Sequence, residues 1–361
     1  MTTTALLAAG GYSRSGSGRG PGITLLALSD DGPGSVPALR PRATVDLPDP
    51  SFLLWSEDGT VLHAVLETDP SRVVALRVAP DGDGMEILGD LALRGGGACH
   101  LARGTDPSTL LVAQYGAGTV ETVRLDAEGV PRETIDVDDH GEHEDRGGHG
   151  AEVRAHPHQV VRLPGTALLA VPDLGLDRVL LYGQQLDGTI DLAGEIPVGR
   201  GSGPRHLAAD HESEQLHLSC ELSGMVATAV RSASTPPRSL PSALRGPSRR
   251  WGVRSMIPAS ARPGANAVSH LELTADESAL LVANRGPDTL SVLSLDGMRP
   301  QLVAEVEVGA HPRHFTQVGD LVLVAAQEGD RIDVLRRRGE QLEPAADPVT
   351  MPSVACLAVR P

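Results

Sequence analysis

The segment GSGPRHLAAD at 201–210 returns as GAHPRHFTQV at 309–318, so Gly-x-x-Pro-Arg-His followed by a large apolar residue is written twice, too far apart for one loop. That recurrence extends along the chain. Apolar, strand-like segments that begin soon after a Pro or a small residue align on Phe52, His100, Gln159, His206, His270, His314 and Cys356. Their mean spacing is about 51 residues, the range of a propeller blade made of four strands.

A second apolar run follows each of the first six: LHAVLE, LLVAQY, LLAVPD, LHLSCE, LLVANR and LVLVAAQ. The residue before each anchor lies 16 positions from the end of that second run in five blades and 14 in the sixth. A constant offset is what a hairpin of two ordinary strands and one turn produces, and it places both residues at the same end of the hairpin. Third runs follow, among them GTVETVRL, DRVLLYG and RIDVLRR. The last first-strand, PSVACLAV at 352–359, has no partners after it, whereas ALLAAGGY, GITLLAL and ATVDL at the N-terminus have no first strand before them. The expected fold is therefore an all-β, seven-bladed β-propeller whose final blade joins the C-terminal innermost strand to three N-terminal strands, leaving no open edge. Residues 1–361 are expected to form one domain, interrupted by loop insertions at 136–155 and 231–265. A β-sandwich or a pair of all-β domains is the rival architecture. The 41 Gly and 28 Pro punctuate the chain too often for many helices of ordinary length.

The positions before the anchors are Ser51, Cys99, His158, Arg205, Ser269, Arg313 and Ala355, and the hairpin partners are Glu67, Tyr115, Leu174 with Asp173 beside it, Glu221, Arg285 and Gln327. Three Arg and a His thus converge on one rim of a chain whose formal charge is −16, a local positive well suited to a small anion. Glu221 beside two guanidiniums stays ionised and can anchor a hydroxyl or accept a proton, while a neutral His158 can act as general base and later as acid. Candidate catalytic residues are therefore His158, Glu221, Arg205 and Arg285. Candidate substrate contacts are His100, Tyr115, Asp173, His206, Arg313 and Gln327. Blander readings stand beside these: Arg313 as a partner for an acidic loop, Asp173 as a turn cap, and His100, His206 and His314 as core or channel-wall groups that satisfy backbone atoms.

An acidic chain repels phosphate backbones, which argues against nucleic acid as a partner. All 31 basic residues are Arg, so Schiff-base chemistry by a lysine is excluded. Cys99, Cys220 and Cys356 are odd in number and widely spaced, which suits reduced thiols and, with an opening MTTTALLAAGGYS that lacks a basic n-region, a cytoplasmic location. No segment approaches a membrane span. The run DVDDHGEHEDRGGHG with RAHPHQV carries His140, His143, His149, His156 and His158, but it is Gly-rich and lacks regular ligand spacing, so it reads as a solvated lid and no metal is expected. GYSRSGSGRGPG at 11–22 reads as a blade turn, since no helix follows it to make a phosphate cradle.

The motifs GGGACHL, LLVAQYGAGTVETVRLD, HPHQV, VPDLGLDRVLLY, GSGPRHLAA, CELSGMV, LLVANRGPDTLSVL and GAHPRHF resemble, in order and in every blade from about Leu6 to Val359, those of the propeller-type lactonase family. That family includes bacterial 6-phosphogluconolactonase and the fungal carboxymuconate-lactonizing enzyme. The resemblance implies seven blades, no cofactor, and active-site roles for His158 in HPHQV, Arg205 in GPRHL, Glu221 in CELSG and Arg285 in NRGPD. Departures are HPHQV where the family often has HAHSV, and Cys220 where it has Asn before the Glu; they touch the substrate more than the reaction class. The leading expectation is hydrolysis of a small anionic sugar lactone such as 6-phosphogluconolactone by a monomer or weak homodimer. The alternatives are cycloisomerisation of a muconate and a non-catalytic propeller that binds a protein partner.

Overall fold

The computed structural model describes residues 3–32, 34–143, 154–234 and 248–361. Among these residues the strands assemble into seven four-stranded antiparallel sheets arranged as a β-propeller, and the only helical element is a 3-10 turn at His140–His143. The first strands of the blades are Pro50–Trp55, Ala98–Arg103, Val161–Arg162, Pro204–Ala209, Ala267–Leu273, Pro312–Val318 and Val354–Val359. They surround the axis, and neighbours pack on one another, as Pro50–Trp55 does on Ala98–Arg103 and on Val354–Val359. Closure follows the sequence: Thr3–Gly11 pairs with Val354–Val359, with Leu7 opposite Val359 and Gly10 opposite Cys356. Ile23–Asp30 and Ala38–Val45 complete that seventh blade.

The second strands are near-continuous apolar runs because each is covered on both faces. In Val61–Leu66, for example, every residue is buried. Alternate residues serve opposite neighbours: Leu62, Ala64 and Leu66 pack toward the seventh blade, while Val65 packs toward the second. The described residues accordingly form seven apolar clusters, each lying between two adjacent blades. Among the described residues no apolar cluster spans the centre of the ring, so each seam depends on its own cluster. At the closing seam a buried ion pair adds to it: Arg336 Nη2 lies 2.9 Å from Asp30 Oδ1, and its Nη1 lies 2.8 Å from Asp320 Oδ2.

The stretches read as loop insertions are partly sheet. Residues 231–234 and 248–258 belong to the long strands Met225–Ser234 and Ser248–Pro258 of the fourth blade, with Arg231 opposite Trp251. Trp251 is buried, donates its indole N–H to Ser213 O at 2.9 Å, and lies under the Arg231 guanidinium at 4.7 Å. The Arg-, Ser- and Pro-rich composition masked this pairing; residues 235–247 lie outside the described residues. Likewise 136–139 end the outer strand Pro131–Asp139, and 144–153 lie outside the described residues. No helix among the described residues is long and apolar enough to cross a membrane.

Candidate active site

One local geometry delivers the rim side chains. Two residues before the rim position the backbone is left-handed in five blades, at Asp49, Gly97, Gly203, His311 and Ser353, with φ of 47°, 67°, 61°, 57° and 51°. A turn of that hand reverses the chain as it enters the innermost strand. Pro50, Pro204 and Pro312 come next and fix φ at the start of the strand, where a missing N–H costs nothing. The pairing register then slips between Pro50 and Phe52, Ala98 and His100, Pro204 and His206, and Pro312 and His314. Ser51, Cys99, Arg205 and Arg313 are the extra residues, and a bulge of this kind re-aims a side chain. The Pro-Arg-His repeat is thus a turn, a strand start, a bulged rim residue and a channel-wall residue, in that order.

Around the mouth this brings together the four candidate catalytic residues. Glu221 Oε2 lies 2.9 Å from Arg205 Nε and 2.5 Å from Arg285 Nη2. Arg285 also donates from Nε to Ala267 O at 2.9 Å, which fixes its stem against the fifth blade. Arg205 is only 2% exposed, and its Nη1 is buried with no protein acceptor among the described residues. Burial and the neighbouring Arg285 push the Arg205 guanidinium down to about 9, against the pull of Glu221, so it remains a cation at neutral pH. Burial alone would raise the Glu221 carboxyl, but Arg205 and Arg285 outweigh it and hold Glu221 below the usual carboxylate range. His158 sits well below the ordinary histidine value, first because it is buried and then because Arg205, Arg313 and Arg285 all oppose a further positive charge. The site therefore holds a neutral imidazole, an ionised carboxylate and three guanidiniums.

The substrate-contact candidates separate into those at the mouth and those held elsewhere. Tyr115 stacks on His156 at 4.3 Å and meets the His158 ring edge at 5.7 Å, while His156 Nδ1 engages Tyr115 O at 2.8 Å. Gln327 brings a buried Oε1 that no protein donor reaches among the described residues. Arg313 is 3.9 Å from Glu67 Oε2 and lies over the Tyr12 ring at 5.3 Å, and the Tyr12 hydroxyl donates to Glu67 Oε2 at 2.9 Å. Asp173 is fully buried: its Oδ1 accepts from the backbone N–H of His156, Gly175 and Leu176 and its Oδ2 meets His140 Nδ1, so it is a turn cap out of substrate's reach. His100 and His206 stand one residue deeper than the rim, in the channel wall. His100 Nδ1 accepts from Val160 N–H at 3.4 Å, and His314 Nδ1 accepts likewise from Leu357 N–H.

Tyr12 is a site residue that sequence reasoning missed. Its N–H donates to Ser353 O, as Glu67 N–H does to Asp49 O and Glu221 N–H to Gly203 O, so Tyr12 is the seventh blade's hairpin partner. The pattern that exposed the others fails here because ring closure puts the partner at the opposite end of the chain.

All three cysteines are free and buried. Cys99 lies beneath His158, with Sγ 3.5 Å from its carbonyl oxygen; burial, then the Glu67 charge, push its thiol up to about 12, so no thiolate nucleophile is offered. In the His-rich segment His143 Nε2 meets Asp138 Oδ1 at 2.9 Å and His140 Nδ1 meets Asp173 Oδ2 at 2.7 Å, while His140 Nε2 is buried without a hydrogen-bond partner among the described residues. His149 lies outside the described residues.

A family model described as "Lactonase, 7-bladed beta-propeller" matches residues 6–359. The chain belongs to the seven-bladed lactonase family. Among relatives of this lactonase propeller, 6-phosphogluconolactonase of Bacillus subtilis (strain 168) is 24% identical over 280 residues, which is 76% of each chain. The solved periplasmic gluconolactonase PpgL of Pseudomonas aeruginosa superposes with a TM-score of 0.86 at 24% identity, covering 99% of both chains. A solved protein from Lactobacillus plantarum gives 0.82 at 22% identity, again over 99% of both. At such identities the structural likeness speaks for the fold.

Proposed function

We propose that this lactonase propeller hydrolyses a small anionic sugar lactone, with 6-phosphogluconolactone as the first choice of substrate. The observation that carries the reading is the buried Arg205 guanidinium, bridged with Arg285 to Glu221 and left with a donor that no protein group accepts among the described residues. Two cations on either side of one carboxylate carry a net positive charge, and a buried net charge calls for an anion. Arg205 and Arg285 hold the phosphate or carboxylate of the substrate and stabilise the oxyanion of the tetrahedral intermediate.

His158 takes the proton from the attacking water and returns it to the ring oxygen as the acyl–oxygen bond breaks. Burial first, and then three cations, suppress its basicity in the free protein. A bound anion offsets part of that field, so the imidazole gains basicity when substrate is present. Glu221, ionised between the two arginines, keeps both guanidiniums placed. The resemblance to 6-phosphogluconolactonase of Bacillus subtilis supports the sugar-lactone class.

The test is a lactone panel that pairs anionic with neutral versions of the same ring. Phosphorylated gluconolactone is expected to open at least ten times faster, in kcat/KM, than unphosphorylated gluconolactone, because only the former engages the arginines. Equal rates would contradict the role given to Arg205 and Arg285. No acceleration of any lactone over its spontaneous opening would overturn the hydrolase reading.

A further inference from the structure

Below the mouth, the channel wall holds a line of polar groups that the mechanism has not used. His206 Nδ1 lies 2.8 Å from His270 Nδ1, and His270 Nε2 lies 3.1 Å from Glu272 Oε1. His270 and Glu272 are two apart on the inner strand Ala267–Leu273, so both side chains face the same way and Glu272 is the farther from the rim. The carboxylate is held from its other oxygen by Gln317 Nε2 at 3.0 Å, and the same amide donates to Leu273 O at 2.9 Å. At the upper end the His206 ring is 5.2 Å from the His158 ring.

Hydrogen-bond chemistry orders this line. Between two Nδ1 atoms at that distance there is one proton. With Glu272 ionised, His270 must donate from Nε2, so its Nδ1 accepts and His206 donates from Nδ1. His206 Nε2 is then left unprotonated on a ring that meets His158. Adding one proton at His206 Nε2 and moving one along each of the two bonds converts this arrangement into its mirror, with Glu272 neutral and His206 protonated on Nε2.

We propose that His206, His270 and Glu272 form a proton relay down the propeller axis that serves as a reversible proton store for lactone opening; this rests on the hydrolase reading above. As the water oxygen bonds to the acyl carbon, its O–H bond breaks and the proton passes through His158 to His206 Nε2. The His206 Nδ1 proton moves to His270 Nδ1, and the His270 Nε2 proton moves to Glu272 Oε1. When the acyl–oxygen bond of the ring breaks, the same transfers run backward and deliver the proton to the leaving oxygen. Lactone and water become hydroxy acid, the relay ends as it began, and the acid ionises to solvent.

The benefit is electrostatic. A proton kept on His158 would add a fourth positive charge beside Arg205, Arg285 and Arg313, whereas a proton on Glu272 neutralises a carboxylate. Burial raises the Glu272 carboxyl above its usual range despite the Gln317 bond and the nearby His314, which narrows the gap to imidazole. The groups facing the relay are Arg205, His158 and His100 around His206, Arg205 and His314 around His270, and His314 beside Glu272.

Three measurements test the relay. Glu272→Gln keeps a side chain able to bond His270 but cannot store a proton; it is expected to lower kcat about 10- to 100-fold with KM within twofold. Rates in mixed light and heavy water are expected to bow in wild type, where several protons move together, and to become linear in the variant. An unchanged kcat with the same curvature would overturn the relay. Nitrogen-15 spectra of the ligand-free wild type decide independently of turnover: at neutral pH His206 is expected to carry its proton on Nδ1 and His270 on Nε2. The opposite tautomers would mean Glu272 already holds the proton, and the store could not accept another. If wild type opens no lactone, the hydrolase reading fails while the spectra still report on the hydrogen-bonded line.

Discussion

Arg205 Nε and Glu221 Oε2 meet at 2.9 Å at the rim end of one hairpin, Glu221 directly following the strand Gln215–Cys220, with the guanidinium almost wholly enclosed. Because Arg205 Nη1 has no protein acceptor among the described residues, truncation removes a donor that the proposed reading assigns to the substrate. Arg205→Ala is expected to lower kcat/KM by about 100- to 1000-fold, the magnitude typical of losing one oxyanion donor. Arg205→Lys is expected to recover little of this, since an ammonium cannot reproduce the planar fork. Steady-state kinetics on both variants check it.

His158 reports on the anion. Its basicity in the free protein is suppressed by burial and then by Arg205, Arg313 and Arg285. Inorganic phosphate bound at the mouth would offset the three cations, so the His158 titration followed by NMR is expected to move upward on adding phosphate. An unmoved titration at saturating phosphate would place the anion elsewhere.

The rim was legible in the sequence because a period and a constant offset both survive any drift in residue identity. The offset puts Arg205, Glu221, Arg285 and His158 among the rim positions, and their charge and proton chemistry single them out from the others. Tyr12 escapes the offset, for its strand and its partner strand stand at opposite ends of the chain. Around Trp251 the Arg, Ser and Pro composition obscures a long strand pair in the fourth blade, so the sequence suggests a loop where the structure has sheet. Glu272 was overlooked for a different reason: it lies two residues beyond the His270 anchor on the same face, where the rule of alternation would have found it.

Acid should unfold this protein early. His100, His158, His206, His270 and His314 are all buried and all sit well below the ordinary value, chiefly through burial, with His270 pushed down to about 3. In the unfolded chain they bind protons below about pH 6.5, whereas in the folded chain they do not, so stability is lost as pH falls below that value. Each contributes a slope of about 1.4 kcal/mol per pH unit. Thermal melting is expected to be level from pH 8 to 7 and to drop steeply between pH 6 and 4. A melting temperature that held constant to pH 4 would contradict the buried, neutral ring of histidines.

The closing seam offers a stability test away from the mouth. Arg336 bridges Asp30 of the seventh blade and Asp320 of the sixth, and both Arg336 and Asp30 are buried. Asp30→Ala leaves a guanidinium enclosed with one partner fewer, at a cost of about 3 kcal/mol. Denaturant unfolding is expected to show that loss while kcat per folded molecule stays the same.

The central claim is that a buried, anion-seeking pair of arginines on one carboxylate does the chemistry of a lactonase. Opening of 6-phosphogluconolactone by wild type, Arg205→Ala and Glu221→Gln, measured side by side against the spontaneous rate, tests it most directly. The expected result is clear acceleration by wild type and a loss of about 100-fold or more in kcat/KM in each variant. Wild type and both variants opening the lactone at equal rates would contradict the claim.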